Sequence, residues 1–186
     1  MPIEVNIQEA LAIPLGGTGI PELTWLATEA QGCERILELG SYHGRSTLAM
    51  LANSHAHIWC VDSWAGPTRK GVISGDADYL IFLRNLSSCR SRVHPMWMRT
   101  AEAYALLTDL FSFDMIFIDA DHSYEAVQFD IANCIPLVHP GGLLCGHDFI
   151  SNQDVTRAVR EILPFAQIAL PRRAYRNIWY YRSRRR

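Results

Sequence analysis

The sequence predicts an α/β fold of the Rossmann-like, doubly wound type, with a mostly parallel seven-stranded sheet and a closing antiparallel strand. Three observations support this prediction. Short apolar runs alternate along the chain with segments of helical spacing. The apolar run at residues 35–39 is followed directly by a glycine turn and a helix. Two more strand-like stretches, joined by a basic turn, follow the last helical segment and are expected to pair.

Each element has a local signal. Pro21 suits the first position of a helix, and Ser151 is the predicted cap of the last helix. Apolar runs rich in β-branched and aromatic residues indicate the strands. The predicted helices cover residues 21–30, 46–52, 76–86, 101–110, 122–135 and 154–163. The predicted strands cover residues 35–39, 57–62, 92–97, 113–119, 143–148, 165–170 and 177–181, with a turn at 140–142.

A chain of 186 residues is expected to form one domain, residues 1–186. Within it, residues 1–34 form an N-terminal segment and helix, and residues 172–186 form a basic strand and tail. Residues 63–75 are rich in glycine and are long for a link between a strand and a helix, which predicts a lid.

The composition is typical of a soluble globular protein, with 49% apolar and 19% charged residues. No apolar run approaches the roughly 20 residues that span a bilayer. The start of the sequence lacks the basic and apolar regions of a signal peptide. Five cysteines without a Cys-x-x-Cys pair indicate reduced thiols, so we expect a cytoplasmic protein without a membrane partner.

Positive charge is concentrated at the end of the chain. Seven of the 17 basic residues, all arginines, lie within residues 172–186, and this stretch contains no acid. A basic tail can bind nucleic acid, or it can be a solvated segment that offsets an acidic body. Few aromatics are interleaved with the arginines, so nucleic acid is the less favoured partner, and a homodimer is left open.

The glycine turn after the first strand suggests a nucleotide-like ligand. Gly40 and Gly44 are four residues apart, whereas the dinucleotide fingerprint Gly-x-Gly-x-x-Gly would need glycines in place of Tyr42 and Arg45. This spacing disfavours NAD. Glu38 lies near the end of the same buried strand, where an unpaired carboxylate is costly, so we expect it to meet a cationic ligand.

Four acids lie at the ends of predicted parallel strands, namely Glu38, Asp62, Asp119 and Asp148. Ligands of such sheets bind beyond the C-terminal ends of the strands, so these acids are expected to converge there. Asp62 follows Gly40 by 22 residues, the distance at which an acid accepts hydrogen bonds from both ribose hydroxyls. A solvated strand-end aspartate is the alternative.

Three motifs together resemble the class I S-adenosylmethionine (AdoMet)-dependent methyltransferases. They are Ile36-Leu-Glu-Leu-Gly-Ser-Tyr-x-Gly-x-Ser-Thr47, Ile118-Asp-Ala-Asp-His-Ser-Tyr124 and Gly146-His-Asp-Phe149. The last two are similar to those of a bacterial subgroup that methylates oxygens of small molecules, including sugars, phenolics and natural products. Adenine- and glutamine-specific enzymes carry an Asn/Asp-Pro-Pro turn after the fourth strand. This chain lacks that turn, which favours a hydroxyl acceptor.

The resemblance implies a set of AdoMet-binding residues. The methionine part is expected near the turn after the first strand, the ribose on Asp62, and the adenine near the residues after the third strand. Met98 departs from the usual glycine there. The implied cofactor-binding residues are Glu38, Gly40, Ser41, Tyr42, Gly44, Ser46, Thr47, Asp62, Ser63, Thr100, Ala101, Asp119 and Asp121.

The resemblance also suggests the catalytic groups. His122, which we expect to begin a helix, is the predicted general base, and Asp119 is the second predicted catalytic residue, with Asp121 nearby favouring the charged imidazole. Asp119, His147 and Asp148 are similar to the ligands of metal-dependent O-methyltransferases, which leaves Mg²⁺ or another divalent ion open. In the alternative, these residues bind the substrate without a metal.

Two functions therefore remain open at the level of sequence. The first is an AdoMet-dependent O-methyltransferase of a small hydroxylated molecule. The second is a non-catalytic AdoMet-binding or interaction protein that keeps the same fold. The complete set of strand-end acids together with His122 favours the enzyme.

Overall fold

One sheet of seven strands forms the centre of the protein. The computed structural model describes residues 5–14, 17–65, 75–107, 112–169 and 177–184. In chain order the strands are β1 (Arg35–Leu39), β2 (His57–Asp62), β3 (Val93–Trp97), β4 (Phe113–Ile118), β5 (Val138–Gly146), β6 (Gln167–Ile168) and β7 (Trp179–Arg182). Across the sheet their order is β3-β2-β1-β4-β5-β7-β6. The first five are parallel, and β7 is antiparallel to β5 and β6, so the predicted architecture is confirmed.

Helices cover both faces of this sheet. Within the described ranges they are α1 (Gln8–Ala12), α2 (Ile20–Ala30), α3 (Arg45–Leu51), α4 (Asp76–Asn85), α5 (Thr100–Leu107), α6 (Tyr124–Cys134) and α7 (Gln153–Ile162). Side chains alternate between the faces along each strand, which divides the core in two. Ile36 and Met115 pack with α1–α4, whereas Leu37 and Ile116 pack with α5–α7. The C-terminal ends of the parallel strands are thereby left open at one edge.

Several predicted boundaries are wrong. His122 precedes α6 instead of beginning it, because the backbone turns helical only after Ser123. Asn152, not Ser151, caps α7, since its side chain accepts hydrogen bonds from the amides of Asp154 and Val155. The predicted turn at 140–142 lies inside β5, where the register against β4 shifts.

Other predictions fall partly outside the described residues. Most of the predicted lid, 66–74, lies there, as do five of the seven C-terminal arginines and the basic turn between β6 and β7. The end of the predicted helix at 101–110 also lies outside them. All five cysteines are free thiols, and four of them are buried. Among the described helices, none has the length and apolar content needed to cross a membrane.

Candidate active site

The turn after β1 packs directly against the end of β4. Gly40, at φ +87°, donates its N–H to the carbonyl of Val61, and Asp119 donates its N–H to the carbonyl of Leu39, each at 2.8 Å. A Cβ on Gly40 would lie 2.8 Å from Cα of Ala120 and would overlap the carbonyl group of Asp119. Only glycine fits this position, and the fit brings the turn beside Asp119.

Glu38 is fully buried beneath this turn, and three hydroxyl groups bind its carboxylate. Ser41 donates at 2.7 Å, Ser46 at 2.6 Å, and Thr47 donates as well. Burial raises the pKa of Glu38 to about 7, although these hydrogen bonds lower it. The expected cationic partner is therefore replaced by internal donors. Glu38 fixes the loop and the start of α3, which follows Gly44 at φ +83°.

Asp62 holds the backbone of two loops at once. Its Oδ2 accepts from the N–H of Tyr42 and its Oδ1 from the N–H of Trp64, each at 2.7 Å. Tyr42 and Trp64 both have positive φ, and Trp64 Nε1 donates to the carbonyl of Tyr42 at 2.7 Å. Burial raises the pKa of Asp62, and the backbone hydrogen bonds lower it. The N–H of Ser41 also hydrogen-bonds this carboxylate, so the loop amides leave only part of its accepting capacity for a ligand.

The residues predicted near adenine lie at the ends of β2 and β3. The N–H of Met98 donates to the carbonyl of Asp62 at 3.0 Å, which ties the two strand ends together. Ser63 and Thr100 are half-buried, and Ala101, in the first turn of α5, is exposed. These residues therefore border the same edge as Asp62, and their contact with a cofactor stays a prediction.

His122 lies between two carboxylates from neighbouring strand ends. Its Nε2 is 3.3 Å from Asp119 Oδ1 and 3.3 Å from Asp148 Oδ2. The hydrogen bond with Asp119 raises the pKa of His122; burial lowers it, and the charges of both acids raise it further. Asp121 Oδ1 accepts from the N–H of Ser123 at 2.8 Å, and hydrogen bonds with Ser123 and the nearby charge of His122 lower the pKa of Asp121.

Asp148 is held in an unusual conformation by its neighbours. Its φ is +58°, its Oδ1 accepts from Asn177 Nδ2 at 3.2 Å, and Ser151 Oγ donates to the same oxygen. Burial raises the pKa of Asp148, but His147, Ser151 and His122 hold that pKa well below its usual range. Asp148 is therefore a carboxylate at neutral pH, fixed toward His122.

His147 lies behind the two acids, and both of its ring nitrogens face carboxylates. Its Nε2 is 3.3 Å from Glu22 Oε1, and its Nδ1 is 3.4 Å from Asp148 Oδ1 and 3.8 Å from Asp119 Oδ1. Burial lowers the pKa of His147, but the contacts with Asp148 and Glu22 and the charge of Asp119 raise it to about 10. The role of His147 as a metal ligand stays a prediction.

Comparison with known proteins identifies the family. A sequence family described as "Methyltransferase domain" matches residues 37–149. The chain belongs to this family. Among proteins with curated descriptions, none matches it in sequence.

Solved structures show that the methyltransferase shares its fold with distant enzymes. An O-methyltransferase from Bacillus cereus, solved with SAH, has a TM-score of 0.72 and 16% identity, covering 96% of this chain and 90% of that one. TomG, an O-methyltransferase from Streptomyces achromogenes solved with SAM, has a TM-score of 0.69 and 14% identity, covering 96% and 86%. The SAH-bound methyltransferase PaMTH1 from Podospora anserina has a TM-score of 0.66 and 16% identity, covering 88% and 78%. The predicted class I methyltransferase fold is confirmed.

Sequence reasoning missed two residues of the methyltransferase's candidate site. Glu22 sits in the first turn of α2 and contacts His147. Asn177, before β7, joins Asp148 to the loop after β5. The spacing Gly19-x-x-Glu22 signals a helix start, but no local pattern indicates these long-range contacts.

A divalent metal would find a different donor set from the predicted one. Within the described part of the chain, ligand atoms of Asp119, His122 and Asp148 lie within 4.8 Å of one another. Two carboxylates and an imidazole suit Mn²⁺, Fe²⁺ or Zn²⁺ better than Mg²⁺, which prefers oxygen. These residues fit such an ion, and they equally form an ion pair in which His122 bridges two acids.

Proposed function

We propose that this chain is an AdoMet-dependent O-methyltransferase that acts on a hydroxyl group of a small molecule, such as a sugar, a phenol or a natural product. The observation that carries the proposal is the position of His122 between Asp119 and Asp148. These groups lie at the C-terminal edge of the sheet, on which Asp62 also lies. Membership of the methyltransferase family and the SAM- and SAH-bound O-methyltransferases of the same fold support it.

The turn after β1 and the end of β2 form the proposed cofactor site. AdoMet, when bound, supplies an electrophilic methyl group on a sulfonium sulfur. Asp62 accepts hydrogen bonds from the ribose hydroxyls with the accepting capacity that the loop amides leave. Gly40, Ser41 and Tyr42 border the methionine part, and Glu38 keeps this turn in shape through its hydroxyl partners.

His122 is the proposed general base. The acceptor hydroxyl must lose its proton as its oxygen bonds to the methyl carbon, and Nε2 takes that proton. Asp119 and Asp148 then stabilise the imidazolium that forms, since each lies 3.3 Å from Nε2. Because these carboxylates raise the pKa of His122, the neutral base predominates only at a higher pH than it would for a free imidazole.

A metal-assisted reaction is the competing proposal. Asp119, His122 and Asp148 would hold the ion, which would orient the acceptor and lower the pKa of its hydroxyl group. Only one of the two proposals can hold for Nε2 of His122, because this nitrogen cannot ligate a metal and accept a proton at the same time.

Turnover with a panel of acceptors tests the proposed function. Purified protein is incubated with AdoMet and catechol, 4-methylumbelliferone or methyl glucoside, and S-adenosylhomocysteine is quantified. Acceptor-dependent product is expected with at least one acceptor. AdoMet binding without turnover, across a wider library of phenols, sugars and natural products, would instead support a non-catalytic AdoMet-binding protein.

Two interventions then assign the chemistry. His122→Ala should lower kcat at least about a hundredfold, while AdoMet affinity changes only a few fold. His139→Ala is the matched control, because His139 is exposed at the opposite end of β5. EDTA should leave the wild-type rate unchanged. Loss of activity in EDTA, restored by Mn²⁺, would move the role of His122 from base to metal ligand.

A further inference from the structure

Glu22 connects the N-terminal part of the chain to the proposed catalytic residues. It lies in the first turn of α2, and its Oε2 accepts from the N–H of Gly19 at 2.6 Å. Its Oε1 lies 3.3 Å from His147 Nε2. Glu22 is only 6% exposed and His147 only 5%, so both side chains are buried.

The second nitrogen of His147 continues this connection. Nδ1 lies 3.4 Å from Asp148 Oδ1 and 3.8 Å from Asp119 Oδ1. Both acids in turn lie 3.3 Å from His122. One imidazole therefore sits between Glu22 on one side and both partners of the proposed base on the other. A rotation of its ring would break both contacts together.

We propose that Glu22 is a positioning residue for methyl transfer, acting through His147 to hold Asp119 and Asp148 on either side of His122. The role rests on the proposed function, because it matters only if His122 acts in the reaction. Glu22 itself touches neither acid directly. Its effect passes through one ring whose two nitrogens lie on opposite sides.

Helix capping alone does not explain this placement. Capping uses only Oε2, and a glutamate at this position can accept from Gly19 while its other oxygen remains in water. Burying the second oxygen removes its hydration, which is costly unless a partner replaces the water. His147 Nε2 lies 3.3 Å from this oxygen, at ion-pair distance, and this buried nitrogen has no hydrogen-bond partner among the described residues.

Two conservative substitutions isolate the connection. Glu22→Gln keeps an oxygen for the N–H of Gly19 but loses the charge that faces Nε2. His147→Asn keeps a donor near the position of Nδ1 but loses Nε2. Each substitution removes the contact between Glu22 Oε1 and His147 Nε2, one from the side of Glu22 and the other from the side of His147. The double variant should therefore lose no more activity than either single variant.

The experiment measures kcat, acceptor KM, AdoMet affinity and unfolding for both variants and the double variant. Glu22→Gln should lower kcat about tenfold, or about 1.4 kcal/mol of barrier, with AdoMet affinity within twofold of the wild type. Glu29→Gln is the matched control. Glu29 lies in the last turn of the same helix and pairs with Arg182, so its loss should leave kcat unchanged. Unchanged kcat in Glu22→Gln, or additive losses in the double variant, would overturn the proposal.

A second measurement needs no acceptor and separates this proposal from the proposed function. In ¹⁵N-histidine-labelled protein, imidazole signals are assigned with the His122 and His147 variants. Glu22→Gln should shift the signals of both rings, whereas Glu29→Gln should shift neither. If the wild type turns over no acceptor but both rings respond, the proposed function fails while the connection stands. An unchanged His122 signal would overturn the connection whatever the activity.

Discussion

His122 and Asp148 lie 3.3 Å apart, although one precedes α6 and the other follows β5. Two features bring them together. The parallel register of β4 and β5 aligns the two strand ends, and the positive φ of Asp148 turns its side chain back toward β4. The contact matters because the charge of Asp148 favours the protonated form of His122.

Asp148→Asn should therefore move the pH dependence of activity. Removing the negative charge lowers the pKa of His122, so the neutral base is present at lower pH. We expect the acid limb of the kcat profile between pH 5 and 9 to shift to lower pH, and the plateau to fall because the imidazolium is less stabilised. An acid limb that stays in place or moves to higher pH would contradict the role of Asp148.

Asp62→Ala should weaken AdoMet binding by more than tenfold in calorimetry. Each lost hydrogen bond between a carboxylate and a ribose hydroxyl is worth about 1.5–3 kcal/mol. Asp114→Ala is the matched control, because Asp114 also accepts from two backbone amides, those of Glu34 and Arg35, at the other end of the sheet. Equal losses of AdoMet affinity in both variants would mean that Asp62→Ala acts through a change in structure and not through a lost contact with the ribose.

Gly40→Ala should destabilise the fold far more than Gly32→Ala. Both glycines have positive φ, +87° and +82°, so alanine costs about 1–2 kcal/mol at either position. Only at Gly40 does the new methyl group meet backbone atoms, those of Asp119 and Ala120, whereas nothing lies within 4 Å at Gly32. Urea unfolding should show at least ~2 kcal/mol of extra loss for Gly40→Ala. Equal losses would show that the turn moves away from β4 at little cost.

The difference in the free energy of unfolding between the wild type and Glu38→Gln should change with pH in favour of the variant, because the wild type loses stability as pH rises. The folded protein has a pKa of about 7 for Glu38, above the roughly 4.3 of an unfolded glutamate. The folded state thus favours the protonated acid, and its stability falls as pH rises through this window. Glutamine does not ionise, so the wild-type advantage in urea unfolding should shrink between pH 5 and pH 8. A constant difference over that range would place the pKa of Glu38 elsewhere.

Local pattern was sufficient for the sheet but not for the contacts around His122. The apolar runs of β1, β2 and β4 have an acid at or next to their C-terminal ends, and parallel strands must present those ends at one edge. The predicted cap at Ser151 failed because the hydroxyl group of that serine is already bound to Asp148 and Asn177. Such competition between partners is visible only after distant segments have met.

Glu22 and Glu38 both show that the contact partners of a buried acid cannot be predicted from the sequence. The strand pattern predicts a buried acid at Glu38 with a cationic ligand as its partner, whereas neighbouring hydroxyl groups donate hydrogen bonds to it. Glu22 carries an ordinary helix-start signal, and nothing near it in sequence indicates His147. Strand-end chemistry is local in sequence, whereas hydrogen-bond partners are set by tertiary packing.

The strand order has a consequence for synthesis on the ribosome. β7 lies between β5 and β6, so the interior of the sheet is completed by a segment near residue 182. Until that segment emerges, β5 exposes its hydrogen-bonding edge, and Gly146 lacks the indole of Trp179 that packs against it. Unpaired edges promote association between chains. In a nascent chain of this protein, the strand with His147 and Asp148 beyond its end therefore keeps an unpaired edge until β7 has emerged.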